Sequence, residues 1–313
     1  MAFLHAHSCE GMKSELEFFT LPPTQITIES VQWVHYTPIS SLADDSPIKL
    51  FVPGNGDEYL DLAHTMLSLR VQLRFKDTLA PDVLSKAAPV NNLLHSLFNQ
   101  VDVFLNQKLV SPPNNAYAYR AYIETLLNYG PAAKRSHLSS MLRYDDTPGH
   151  MDHTAGKNTN LANSLAFVGR DRAIDLIGHL HCDVFNQETF LLNGVELRLQ
   201  LVRTRDGFSL MDPKSECSLH ITEATLLVRC AKMSPGILLA HSRMLSKTTA
   251  KYPLTGVEVK ALTLHAGLHG STMDNVIFSQ LPKRIIIVFV DNKAFNGNYQ
   301  LNPFKFKNYC ISF

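Results

Sequence analysis

Between Leu67 and Lys76, five apolar side chains (Leu67, Leu69, Val71, Leu73, Phe75) alternate without a break with Ser68, Arg70, Gln72, Arg74 and Lys76. Successive side chains of a strand point to opposite faces, so the run predicts a strand with one face in a core and the other in solvent. Such a strand needs sheet neighbours and a second layer to cover it. The rest of the sequence supplies candidates for both.

Val31 to Ile39 mixes Val, Trp, Tyr and Thr, which favours a strand, and Pro38 directs it towards an edge. Ile48 to Val52 is a short strand closed by the turn signal Pro53-Gly54-Asn55-Gly56. Val101, Val103 and Leu105 alternate with Asp102 and Asn106, with Phe104 on the outward side, and Asn106-Gln107 turns the chain. Strand patterning resumes at Ile174. Phe190–Leu192 and Val195–Val202 flank Asn193-Gly194 and predict a two-residue hairpin. Leu219–Arg229, Tyr252–Leu264 and Arg284–Val290 complete the expected strands, and the apolar IIIVFV run predicts burial on two faces.

Helical signals are short and fall between strands. After Pro112-Pro113, Asn114 or Asn115 offers an N-cap to a stripe of Ala118, Tyr122 and Leu126 with Tyr119, Ile123 and Leu127, closed by Gly130-Pro131. A helical turn is expected around Asn91–Leu97 and another short helix after Pro131. Leu238, His241 and Leu245 predict a helical linker between two β units. Asp77–Pro89 reads as a loop and Asp145–Ser164 as a long polar excursion. Met12, Leu16 and Phe19 share a helical face on an amino-terminal arm that ends at Pro22-Pro23.

The fold class expected is therefore all-β with short helical insertions. The organisation expected is an arm (1–20), a first β unit (21–232), a helical linker (233–250) and a partial second β unit (251–313), and the resemblance in the segments quoted next implies that each unit is a jelly roll. Strands after Thr249 number about half those before it, and Phe304, Phe306, Ile311 and Phe313 lead off the end with no closing turn. A second barrel incomplete in this chain, through truncation or degeneration, is the expectation.

Several of these segments carry a resemblance. HSLFNQVDVFLNQKLV followed by YRAYIETLLNYG, the amino-terminal SCEGMKSELEFFTLPPTQ, DLIGHLHCDVF with LLNGVELRLQLVR, TTAKYP, and LPKRIIIVFVDNKAFNGNYQLNPFKFKNY lie in order along nearly the whole chain. Together they resemble the major capsid proteins of Maverick/Polinton-type virus-like transposons and adintoviruses. The resemblance implies a double jelly-roll capsid protein of an endogenous virus or transposon. Two eight-stranded barrels would stand side by side, and three copies would form a pseudo-hexagonal capsomer. It implies self-association as a homotrimer in the full-length form, contacts with other capsid subunits, and a place in the virion if assembled.

Composition agrees with work done by a surface. Charged residues are 18%, below the roughly 25% usual for soluble domains. A net charge of +1 gives no global attraction to nucleic acid or membrane. Lys134-Arg135 and Lys305/Lys307 are small basic clusters without an aromatic platform, more in keeping with solvated faces. Cys9, Cys182, Cys217, Cys230 and Cys310 show no CxxC spacing, so free thiols in a reducing compartment are expected. No secretory signal and no run of ~18 apolar residues is present, which predicts an intracellular, nucleocytoplasmic protein.

The best candidate for chemistry is Gly178-His179-Leu180-His181-Cys182-Asp183. On a continuous strand, His179, His181 and Asp183 would share one face as metal ligands do in a β-barrel. Glu188 and Gly194 downstream give it a loose likeness to the first motif of cupins. The Glu stands too far from the second His, however, and no second motif with its own His follows. His179 and His181 are thus the metal candidates, set against the plainer reading of two surface or interface histidines. His5, His7 and Cys9 form a weaker soft-metal set. Gly54 to Glu58 is neither a phosphate loop nor a calcium loop. No catalytic residue, cofactor or small-molecule substrate is expected. The runners-up are a cupin-like metal enzyme using His179 and His181, or a domesticated single jelly-roll binding module.

Overall fold

The computed structural model describes residues 16, 18, 19, 21, 24–54, 56–75, 87–112, 116–154, 156–167, 173–213, 217–265, 267, 272–274, 276–277 and 281–309. Eight strands build its frame: β1 (Ile28–Tyr36), β2 (Ile48–Val52), β3 (Glu58–Phe75), β4 (Phe98–Leu105), β5 (Lys108–Leu109), β6 (Ala173–His179), β7 (Leu197–Arg203) and β8 (Cys217–Met233). They form two four-stranded sheets, ordered β1-β8-β3-β6 and β2-β7-β4-β5. Every pairing is antiparallel.

Within these sheets β1 pairs with β8, β2 with β7, β3 with β6 and β4 with β5. These are the pairs of one long hairpin whose tip is the Asn106–Gln107 turn. Rolling that hairpin over itself adds the β8–β3 and β7–β4 ladders. This is the jelly-roll topology, a double sheet of eight strands. No ladder of these strands joins the two sheets, so they stack as a sandwich and do not close into a barrel. A separate two-residue ladder pairs Ala88–Pro89 with Leu210–Met211.

The strand alternation read from Leu67 onward holds: Leu67, Leu69, Val71 and Leu73 are buried and Arg70 and Arg74 exposed. They meet Leu50, Val52, Val103, Leu197, Leu199, Leu201, Leu226 and Val228 in one core. At the hairpin tip Asn106 and Gln107 both have positive φ, 46° and 66°, the geometry that matches a two-residue turn to strand twist.

The hairpin expected at Asn193-Gly194 does not form. Gly194 turns with φ +75°, but Leu191 bonds reciprocally to Leu60 on β3 while β7 pairs with β2 and β4. Both edges of β7 are taken, which leaves no place for a hairpin mate. The turn instead carries the chain from one sheet to the other. It also packs against the Pro53–Gly56 turn, where a Cβ on Gly54 would lie 2.6 Å from the Gly194 carbonyl carbon. Only glycine permits that approach.

Between the strands lie α1 (Tyr117–Asn128) and α2 (Thr159–Phe167), and α3 (Pro235–Leu245) follows β8. Helix α1 starts after Ala116 with no side-chain cap, and the expected caps Asn114 and Asn115 lie outside the described residues. Asp145–Ser164 is less of an excursion than its polarity suggests. The Asn158 side chain ties Asp146 Oδ1 at 2.9 Å to the Thr147 N–H at 3.0 Å.

Tyr252–Leu264 and Arg284–Val290, expected as strands, carry no ladder among the described residues. The IIIVFV run is likewise not buried on two faces: Ile285, Ile286 and Ile287 are 63%, 47% and 60% exposed. A strand is stabilised by its neighbours, and the described residues offer this run none.

Candidate functional site

Helix α1 is the hub. Tyr117, Ala118, Tyr119, Arg120, Ala121 and Tyr122 are all buried, so its amino-terminal half is covered on every side. Tyr117 and Ala121 enter the sandwich core. Ala118, Tyr119 and Tyr122 enter a second cluster with Phe208 and Phe304, flanked by Phe295 and Phe306. Tyr122 and Phe304 stack at 4.2 Å. Tyr119 stacks on Phe295 at 5.6 Å and meets Phe208 edge-on at 5.6 Å. Phe295 ends a short helix, Asn292–Phe295, capped by the Asp291 side chain, which accepts from the Lys293 N–H. Lys305 pairs with Asp152, so one of the basic residues noted in the sequence serves this same dock. Aromatic burial thus fastens residues 291–306 to α1.

A chain of charges runs along the remaining face. Arg120 donates to Glu124 Oε1 at 2.8 Å and to Asp183 Oδ1 at 2.6 Å. Glu124 Oε2 lies 2.7 Å from His181 Nδ1. The same Asp183 oxygen accepts from the Val257 N–H at 3.3 Å, and Arg120 Nη1 reaches the Val257 carbonyl at 3.5 Å. This buried ion pair therefore grips the backbone that follows α3. Burial pushes the Glu124 carboxyl up, but the His181 hydrogen bond and the Arg120 charge outweigh it and hold it below the usual range. Burial lowers the Arg120 guanidinium, but Glu124 and Asp183 more than restore it.

The histidine motif separates. Strand β6 ends at His179, and Asp183 opens a 3-10 turn, Asp183–Asn186. The alternation that would put three ligands on one face is therefore lost. His179 Nδ1 lies 3.2 Å from the Thr65 carbonyl, while His181 turns to Glu124 and meets the buried His95 edge-on, centroids 4.7 Å apart. Among the described residues, no group of three or more His, Cys, Asp or Glu is placed to share a metal ion. Burial, with His181 and His179 nearby, drives the His95 imidazole well below its ordinary value. His179 is lowered chiefly by burial. Burial pushes the Cys182 thiol up to about 12, which leaves it protonated and inert at neutral pH. Cys182 and Cys230 are free and buried, and Cys217 is buried. Glu188 stands on a different surface, lining a groove beside α3. His5, His7, Cys9 and Cys310 lie outside the described residues.

Arg120 and Glu124 were the functional residues that the motif reading passed over. Their i, i+4 spacing was the available signal, since such pairs meet on a helix. Asp183 as their third member depends on tertiary structure. What the site can do is mechanical: it binds two later parts of the chain, Val257 and residues 291–306, to one helix. Between those anchors, Ile285, Ile286, Ile287 and Val288 are exposed. No helix among the described residues is long and apolar enough to cross a membrane.

No protein-family model matches the chain. An uncharacterized protein of Caenorhabditis elegans is 22% identical over 305 residues, spanning 93% of this chain and 70% of that protein. Among solved structures, a chain of the Sputnik virophage aligns with a TM-score of 0.46 and 11% identity over 73% of this chain and 53% of its own. The Faustovirus major capsid protein aligns with a TM-score of 0.44 and 8% identity, over 74% of this chain and 58% of its own. A chain of the PBCV-1 virus capsid gives 0.42 and 12%, over 72% and 47%. The chain spans about half the length of these solved chains.

Proposed function

We propose that this chain is a structural capsid subunit of the double jelly-roll kind, encoded by a virus-like transposon of the Maverick/Polinton type or a related endogenous virus. Residues 21–232 form its first jelly roll, 233–250 the connection and 251–313 part of a second. The carrying observation is an uncovered apolar stretch, Ile285 to Val288, attached to a complete jelly roll. Four consecutive exposed β-branched residues suit a surface that another segment or subunit covers. The order of the eight strands and the segment-by-segment resemblance support the same reading. The work is done by surfaces, without a catalytic centre.

In the assembled state three copies form a capsomer, the amino-terminal arm ties neighbours together, and the protein resides in the virion. A cupin-like metal site would need His179 and His181 on one ion, whereas His179 faces the Thr65 carbonyl and His181 faces Glu124. The test is the molar mass of purified protein by size-exclusion chromatography with light scattering, comparing this chain with one extended through its downstream reading frame. A trimer for the extended form is expected. A monomer at all concentrations for both would overturn the assembly reading.

A further inference from the structure

On β8, Ser218 and His220 alternate with the buried Cys217, Leu219 and Ile221, so their side chains share the outward face of the sheet. Both are half-buried. The Ser218 hydroxyl lies 3.1 Å from His220 Nε2, and His220 Nδ1 lies 2.6 Å from Asp44 Oδ2 on the connection between β1 and β2. A carboxylate only accepts hydrogen bonds, so the Nδ1 proton points at Asp44. In the neutral ring that leaves Nε2 to accept from the Ser218 hydroxyl. Arg203, at the end of β7, fixes the carboxylate from the other side: its guanidinium binds Asp44 Oδ1 and donates to the Leu219 carbonyl at 2.6 Å. A serine, a base and a group that orients the base thus stand in hydrogen-bonded order.

Beyond the assembly reading, the geometry points to Ser218 as a nucleophile that activated carboxylic esters acylate, with His220 as its base and Asp44 as the positioning carboxylate. Ser218 Oγ attacks the ester carbonyl carbon while its proton passes to His220 Nε2. The tetrahedral oxyanion then collapses, the bond to the leaving oxygen breaks, and the leaving alkoxide takes the proton back from His220. Arg74 answers the charge on the oxyanion. It stands directly across the ladder from Ser218 on β3 and is exposed. Residues so paired share a face with their Cβ atoms about 5 Å apart, and an arginine side chain is long enough to reach past its neighbour. The product is the acyl ester of Ser218, a covalent modification of the outer sheet surface.

The experiment treats the full chain with a fluorophosphonate, which forms a stable adduct with activated serines, and locates the adduct by peptide mass spectrometry. An adduct on Ser218 is expected in the folded chain and not in the chain unfolded in urea. Its rate of formation should fall on the order of 100-fold in His220→Gln and on the order of tenfold or more in Arg74→Met. The rate should climb with pH in the native chain and stay flat in His220→Gln. Asp44→Asn should slow labelling on the order of tenfold or more and alter its pH profile, because the ring nitrogen then meets an amide. A folded chain without an adduct on Ser218 would overturn the inference. So would equal labelling of the folded and unfolded chains, or a rate that His220→Gln leaves unchanged. Each of these outcomes leaves the assembly reading standing, since that is tested by molar mass.

Discussion

Tyr122 and Phe304 lie face to face, their ring centroids 4.2 Å apart and their planes within 2° of parallel. One belongs to a helix inserted in the jelly roll and the other to the last described stretch of the chain. Their contact fastens residues 291–306 to the surface of the first unit.

Phe304→Ala is expected to cost about 3–5 kcal/mol through lost burial and the cavity left behind. The loss should be local. Hydrogen exchange should show residues 291–306 losing protection while β3 and β8 keep theirs. Uniform loss across the sandwich would contradict a docked segment.

Arg120→Met removes the cation shared by Glu124 and Asp183 and leaves two carboxylates in a buried place. Breaking such a pair from one side costs roughly 3–5 kcal/mol. Urea unfolding followed by circular dichroism measures it. A change under about 1 kcal/mol would mean that solvent reaches the site far more freely than its geometry implies.

Acid should weaken the protein in two stages. His95 and His179 have folded values below the unfolded ~6.5, so their contribution is complete above that pH and is lost as pH falls through the folded values. Glu124 is also depressed, and its contribution is lost below the unfolded ~4.3. In each window the unfolded chain binds more protons, so stability rises with pH. Thermal midpoints should fall from pH 7.5 to 5.5, with a shallower slope in His95→Gln. An unchanged slope would remove His95 from this account.

Gly54→Ala should destabilise by about 1–3 kcal/mol, because the new Cβ meets the backbone of the Gly194 turn at 2.6 Å. Gly130→Ala, whose Cβ would meet nothing within 4 Å, should stay within about 0.5 kcal/mol. Differential scanning calorimetry of the pair separates close approach from a general cost of replacing glycine.

How much was legible in the chain depends on how local the cause is. The strand at Leu67–Phe75, the turn at Asn106–Gln107 and the helix at Pro235–Leu245 follow from side-chain period and turn chemistry, and they were readable. Asn193-Gly194 has the residues of a hairpin turn, but β7 was already paired on two sides, which no local window reveals. The His179–Asp183 motif failed for a related reason. Period-2 spacing assumes that the strand continues, and β6 stops at His179. The hub on α1 was half legible: its apolar stripe was plain, but the partners of Arg120, Tyr119 and Tyr122 come from distant parts of the chain.

The pairing of β1 with β8 sets an order on how the molecule can be made. Ile28 meets Met233 in the ladder, so a growing chain must hold its first strand unpaired until nearly the whole jelly roll has left the ribosome. The tip of the long hairpin, β4 with β5, closes over two residues and costs the least loop entropy. We expect refolding to start there and end at the sheet edge, with pulsed hydrogen exchange protecting residues 98–109 before 28–36. Until that last ladder closes, β1 is a bare strand with an apolar tryptophan, exposed at the stage when subunits are most prone to stick to one another.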